Sequence, residues 1–328
     1  MASSLLGGPG DRWPLSKAVD DLVDAARHAG VPGLVWIAGA FYPSLNLNVD
    51  LARGILGFVE ELSGIEIPGD YRMSPLLGAM LPFRLSSDDP GTLFGISFLV
   101  WPLAWVIYRS IAGLARVSDP LLWEQAARGS SEKGSAEFDL VEELRGRRSA
   151  RLRTVWKAGM GLGLVALGLW LVLFFLLFGA LIVLMGPVVA LVKVLGLSEF
   201  DVLFAGFLLP VLFLLILYAV VLMVLNQLAL HSLAHNRRGM ASALTHAWRL
   251  VRASPMIATR ATLLEIVLFG SVLLLGGIVR TTFHPFGPLA SIGVFLLFGF
   301  AGVTRAGFWA RTYRALGGLS SSDRVPGL

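Results

Sequence analysis

Cysteine is absent from the 328 residues. That excludes disulfides, thiolate zinc sites, iron–sulfur clusters and cysteine nucleophiles together. Charge is scarce: Asp, Glu, Lys and Arg make up 15% of the chain, where soluble domains average about 25%. Lysine is rarer still, 4 residues against 23 arginines. With the abundant Gly, Ala and Leu, this bias points to a GC-rich bacterial genome. The sequence also lacks a Ser–His–Asp series, a phosphate-binding loop and paired carboxylates in or near an apolar run. The glycines at 159–163 follow a basic stretch rather than a strand and lead into an apolar run, so they make no nucleotide loop. These absences count against an enzyme, and no catalytic residue, metal site or cofactor is expected. The net charge of +5 calls for no nucleic acid, because topology sets the placement of charge in membrane proteins.

What remains is hydrophobic: 55% apolar residues and a mean hydropathy of +0.73. Too few polar side chains exist to cover a water-facing surface, so lipid is the expected solvent. The apolar residues cluster in runs near the length a helix needs to cross about 30 Å of hydrocarbon. Six runs stand out: Val31–Leu47, Thr92–Leu114, Ala158–Met185, Val202–Leu225, Ala261–Ile278 and Phe286–Gly307. The first is the weakest, spoiled by Pro43, Asn46 and Asn48. The third continues past Pro187 to Leu197 and reads as a full crossing to Gly186, then an interfacial helix Val188–Leu197; one long tilted helix is the competing reading. The expected fold is an all-α, polytopic membrane protein of about six transmembrane helices with amphipathic surface helices, the whole of 1–328 forming one membrane domain.

Orientation follows from the basic residues. Twenty-two of the 27 Lys and Arg fall on one side of this topology. The exceptions are Arg53, Arg72, Arg84, Lys193 and Arg280. Both termini are therefore expected inside, in the cytoplasmic (inner) membrane of a bacterium. Residues 1–30 form a cytoplasmic amphipathic N-terminus, 116–157 a charged cytoplasmic loop and 308–328 a cytoplasmic tail. No ordinary signal peptide is expected, since Asp11, Asp20, Asp21 and Asp24 make the first thirty residues too acidic; Ala38-Gly39-Ala40 is the one pattern resembling a cleavage site. Loop 45–91 lies outside, with short surface helices. Asp50–Leu62 places Leu51, Ile55, Phe58, Val59 and Leu62 at helical spacing, and Met73–Phe83 reads as a second such helix.

A short pattern recurs before three of the spans: leucine, three residues, an apolar residue, then a base. It occurs as Leu22…Ala26-Arg27, Leu152…Trp156-Lys157 and Leu244…Trp248-Arg249. The simplest architecture repeats three times a unit of surface helix, outgoing span and return span, each surface helix lying along the inner headgroups.

Few residues suggest chemistry. Glu265 is the only acid inside an expected span. A carboxylate in hydrocarbon must be protonated, paired or wetted. With spans five and six antiparallel, Glu265 and Arg305 are expected at similar depth as an intramembrane ion pair. His231 and His235 stand one helical turn apart, but no carboxylate in 227–260 supports them as a metal site. Gly91/Gly95 and Gly159/Gly163 match a spacing that permits close helix approach. Asn226, Gln227, Ser271 and Thr304 are too scattered to mark a polar path.

One local resemblance is present. Asn236-Arg237-Arg238-Gly239, Ser242-Ala243-Leu244 and Ala247-Trp248 lead through an arginine-rich helix into a span. The stretch resembles a linker in uncharacterised bacterial polytopic proteins, including the membrane region that accompanies some glycerophosphodiester phosphodiesterases. The resemblance implies a multi-span helical fold. It carries no activity here, because the chain has no room for the phosphodiesterase barrel and no acidic metal cluster. The expected function is a non-enzymatic accessory or scaffold subunit of a membrane complex, partnered by lipid and other membrane proteins. The alternative is a transporter or channel component that uses Glu265.

Overall fold

The computed structural model describes residues 13–30, 36–39, 90–119, 152–195, 202–236, 238–282 and 288–318. Loop 45–89, most of the charged loop 120–151 and the tail from 319 lie outside the described residues, as does nearly all of the first apolar run. All the described elements are helices: α1 (Leu15–Ala29), α2 (Pro90–Val117), α3 (Leu152–Ala158), α4 (Gly163–Leu195), α5 (Val202–Asn236), α6 (Met240–Ala253), α7 (Pro255–Thr282) and α8 (Pro288–Ala315). Hydrocarbon offers the backbone no hydrogen bonds, so apolar runs of this length satisfy their own as helices.

Four helices are long and apolar enough to cross a membrane, as a multi-pass membrane protein requires: Gly163–Val188, Leu209–Asn236, Pro255–Val279 and Ile292–Ala315. The helices overrun the apolar runs that announce them. α5 continues eleven residues past Leu225, α7 begins six before Ala261, and α8 continues eight past Gly307. Several polar residues on these extensions, Gln227, His231 and Ser232 on α5 and Arg311 and Thr312 on α8, are buried against neighbouring helices instead of ending the segment.

The third run corrects an expectation. It forms no separate interfacial helix at Val188–Leu197; α4 is one continuous helix of 33 residues with Pro187 inside it. Proline removes a single backbone donor, and its fixed φ is already helical. With an apolar sequence on both sides, nothing ends the helix there.

The packing is cyclic. Each short helix docks on the second long helix of the preceding unit: α3 on α2 and α6 on α5. The first short helix, α1, docks on the last long helix, α8, which closes the cycle. The three second helices, α2, α5 and α8, also touch one another and form the centre. α4 lies between α2 and α5, and α7 lies mainly against α8. Leu22, Leu152 and Leu244, the leucines of the recurring pattern, are all partly buried and pack against the core.

Glycine makes the closest approaches. A Cβ on Gly113 would lie 1.9 Å from the Val155 carbonyl oxygen, and one on Gly159 would lie 2.0 Å from that of Arg109. Gly163 continues this seam beside Arg109 and Trp105. Residues 36–39 meet α8 in the same way, where a Cβ on Gly302 would lie 1.8 Å from the Gly39 oxygen. Gly91 and Gly95 fall in the first turns of α2.

Candidate functional site

α7 and α8 carry the one buried acid–base constellation found among the described residues of the spans. Glu265 and Arg305 are each only 1% exposed, and Arg305 Nη2 forms an ion pair with Glu265 Oε1. Trp309, one turn beyond Arg305 and fully buried, donates from Nε1 to Glu265 Oε2 at 3.0 Å. Phe269, one turn beyond Glu265, sets its ring 5.5 Å from the Arg305 guanidinium carbon. The acid therefore has a cation on one oxygen and an indole N–H on the other, inside an apolar shell. The structure brings together the two residues paired in the sequence reading. Glu265 lies ten residues into the span Pro255–Val279 and Arg305 ten residues before Ala315, about 15 Å along each helix.

A second cluster gathers where α5, α6 and α8 meet. His231 and His235 stack in parallel with centroids 5.8 Å apart, and Tyr313 stacks on His231 at 6.1 Å. The Ala115 carbonyl of α2 faces both imidazoles. Nearby, the Gly318 carbonyl accepts from Asn236 Nδ2 and Tyr313 Oη, each at 2.8 Å, and lies 3.2 Å from His246 Nε2. Gly317, with φ +76°, makes the left-handed turn that brings the chain back to this point. Among the described residues no three His, Asp or Glu side chains converge to hold a metal ion. The cluster ties the end of α8 to α5 and α6.

A third group joins α2 to α3. The Arg109 guanidinium lies 3.9 Å from the Trp156 ring centroid and 5.3 Å from that of Trp105, and its Nε donates to the Trp156 carbonyl at 3.1 Å. Arg116 donates to the Ala158 carbonyl at 3.1 Å. The same device recurs on α8, where Arg311 donates to the Asp21 carbonyl of α1 at 2.6 Å. Arginines of the central helices thus bond carbonyls of the docked short helices. Asp119, at the end of α2, pairs with Arg314 of α8 at 2.9 Å.

Comparison with protein families, with curated proteins and with solved structures finds no match. The local resemblance at 236–248 therefore brings no activity with it. Sequence reasoning missed Trp309, Phe269, Tyr313 and Asn236 as partners. The first two were within reach, since each lies four residues beyond a member of the ion pair and shares its face.

Proposed function

We propose that this protein is a non-enzymatic, six-span subunit of the bacterial cytoplasmic membrane that acts as an accessory or scaffold for other membrane proteins. The two further spans are α2 and the run Val31–Leu47, and both termini are cytoplasmic by the placement of Lys and Arg. One observation carries the reading: on α7 and α8, the helices that carry the buried charge, Thr262, Ser271, Thr304, Thr312 and the Glu265–Arg305 pair find their partners within the bundle. Thr262, Ser271, Thr304 and Thr312 each donate to the carbonyl four residues back in their own helix. Glu265 is closed by Arg305 and Trp309. Meanwhile α4 and α7 turn long apolar faces outward, including Phe175, Ile182 and Val183 on α4 and Leu263, Val267 and Leu274 on α7. Such faces suit lipid and neighbouring membrane proteins.

The test is extraction of the tagged protein from native membranes in mild detergent, followed by identification of what co-purifies. A stoichiometric set of membrane proteins supports the reading. A monodisperse protein carrying only lipid overturns it.

The burial of the Glu265–Arg305 pair between two spans favours a second reading, a transporter or channel component, since intramembrane ion pairs mark ion and proton paths. Glu265→Gln separates the two. Loss of a transport phenotype at normal expression supports transport, whereas loss of folded protein alone supports a structural pair.

A further inference from the structure

At 100° per residue the side chains of α6 divide into three sectors. Ala243, His246, Ala247 and Leu250 are buried, on the side packed against α5. Met240, Val251 and Leu244 form a partly exposed apolar edge, which ends at Trp248, 49% exposed. Beyond the tryptophan come Arg252, Thr245 and Arg249, all exposed. Apolar edge, indole and guanidinium groups thus follow one another around the helix. That is the order in which a helix lying in a bilayer interface meets acyl chains, the carbonyl level and phosphates.

Among the described helices packed against α6, acidic residues are nearly absent. Val202 to Leu264 contains no acidic residue, and neither does α4. Of the helices packed against α6, only α7 holds a carboxylate, Glu265, and it is engaged by Arg305 and Trp309. Neither Arg249 nor Arg252 has an ion-pair partner among the described residues. α1 is the counter-example in the same fold. Its Lys17, Arg27 and His28 stand among Asp20, Asp21 and Asp24, and Arg27 pairs with Asp24 at 3.3 Å.

We infer that the Trp248–Arg252–Arg249 edge of α6 is a binding site for the headgroups of anionic phospholipids. The two planar guanidinium groups take phosphate oxygens, and Trp248 fixes the depth of the helix. The site adds a lipid preference to whatever assembly the protein joins, and it does not depend on the identity of that assembly.

The experiment uses the full chain in nanodiscs made from a mixture of phosphatidylcholine and phosphatidylglycerol. After extraction in mild detergent, native mass spectrometry reads the ratio of the two lipids retained. The wild type is expected to be enriched in phosphatidylglycerol over the bulk disc. Arg249→Gln with Arg252→Gln should lower that enrichment by about fivefold per arginine, the equivalent of roughly 1 kcal/mol per basic residue. Added salt should bring the wild type toward the double variant. Arg249→Lys with Arg252→Lys keeps both charges and should keep most of the enrichment, which separates lost charge from damaged folding. Lys17→Gln with Arg27→Gln on α1 should leave the ratio within about twofold. No enrichment in the wild type, an unchanged ratio in the glutamine variant, or an equal loss in the α1 variant would each overturn the inference.

Discussion

Replacing Glu265 by glutamine deletes a negative charge and leaves its partner where it is. Arg305 is 1% exposed and has no route to water that keeps α8 packed. Breaking a buried pair from one side costs about 3–5 kcal/mol, because the remaining ion is stranded. The glutamine oxygen still accepts from Trp309, which preserves about 1 kcal/mol of hydrogen bonding. The expected loss is therefore near the lower end, about 3 kcal/mol. Removing both charges, as Glu265→Gln with Arg305→Met, should cost less than the sum of the single changes, since neither charge is then left alone. The assay is reversible unfolding in mixed micelles titrated with a denaturing detergent, followed by tryptophan fluorescence and run as a double-mutant cycle. Single variants that lose under about 1 kcal/mol, or a strictly additive double variant, would refute the reasoning that this pair is desolvated and coupled.

Gly113→Ala or Gly159→Ala should reduce the yield of folded protein, because each new methyl meets a backbone oxygen that cannot rotate away; overpacking of this kind costs about 1–3 kcal/mol or more. Gly179→Ala, with nothing within 4 Å of the new carbon, should instead be neutral or gain up to about 1 kcal/mol in thermal stability. Arg109→Lys surrenders the planar stacking between Trp105 and Trp156 and should lower stability by about 1–2 kcal/mol, read in the same unfolding titration. Asn236→Ala removes donors to Tyr313 and Gly318, so limited proteolysis should cut near residue 318 several-fold faster than in the wild type.

The helical, membrane-type fold was legible because hydropathy and length alone dictate it. The ends of the helices were not. Hydropathy stops at Leu225, yet α5 runs on through His231 and His235 because tertiary burial, rather than lipid, accepts those side chains. Pro187 reads as a stop in a list of residues, but inside apolar sequence it costs a single hydrogen bond. The ion pair was legible because two charges in opposed spans at similar depth have no better option. Its closure by Trp309 required knowing which face of α8 turns toward α7. The repeat was visible as a pattern of three residue types, and its leucines, Leu22, Leu152 and Leu244, share the same partial burial against the core. The basic edge of α6 was hidden for a different reason. A count of arginines gives a side of the membrane and says nothing about whether neighbouring carboxylates have already claimed them.

The cyclic docking of short helices has a consequence for synthesis. Among the described helices α1 is made first, but its main seat is on α8, made last; the bond from Arg311 to the Asp21 carbonyl spans 290 residues. Throughout translation the chain therefore carries an N-terminal helix whose alanine edge, Ala18, Ala25 and Ala29, has no counterpart yet made. Of the described helices α8 is the last made, and it supplies the main partner of α1, the arginine for Glu265 and the Arg314 that pairs with Asp119. A nascent chain arrested before α8 would leave Glu265 and Asp119 without the arginines that pair with them in the folded chain.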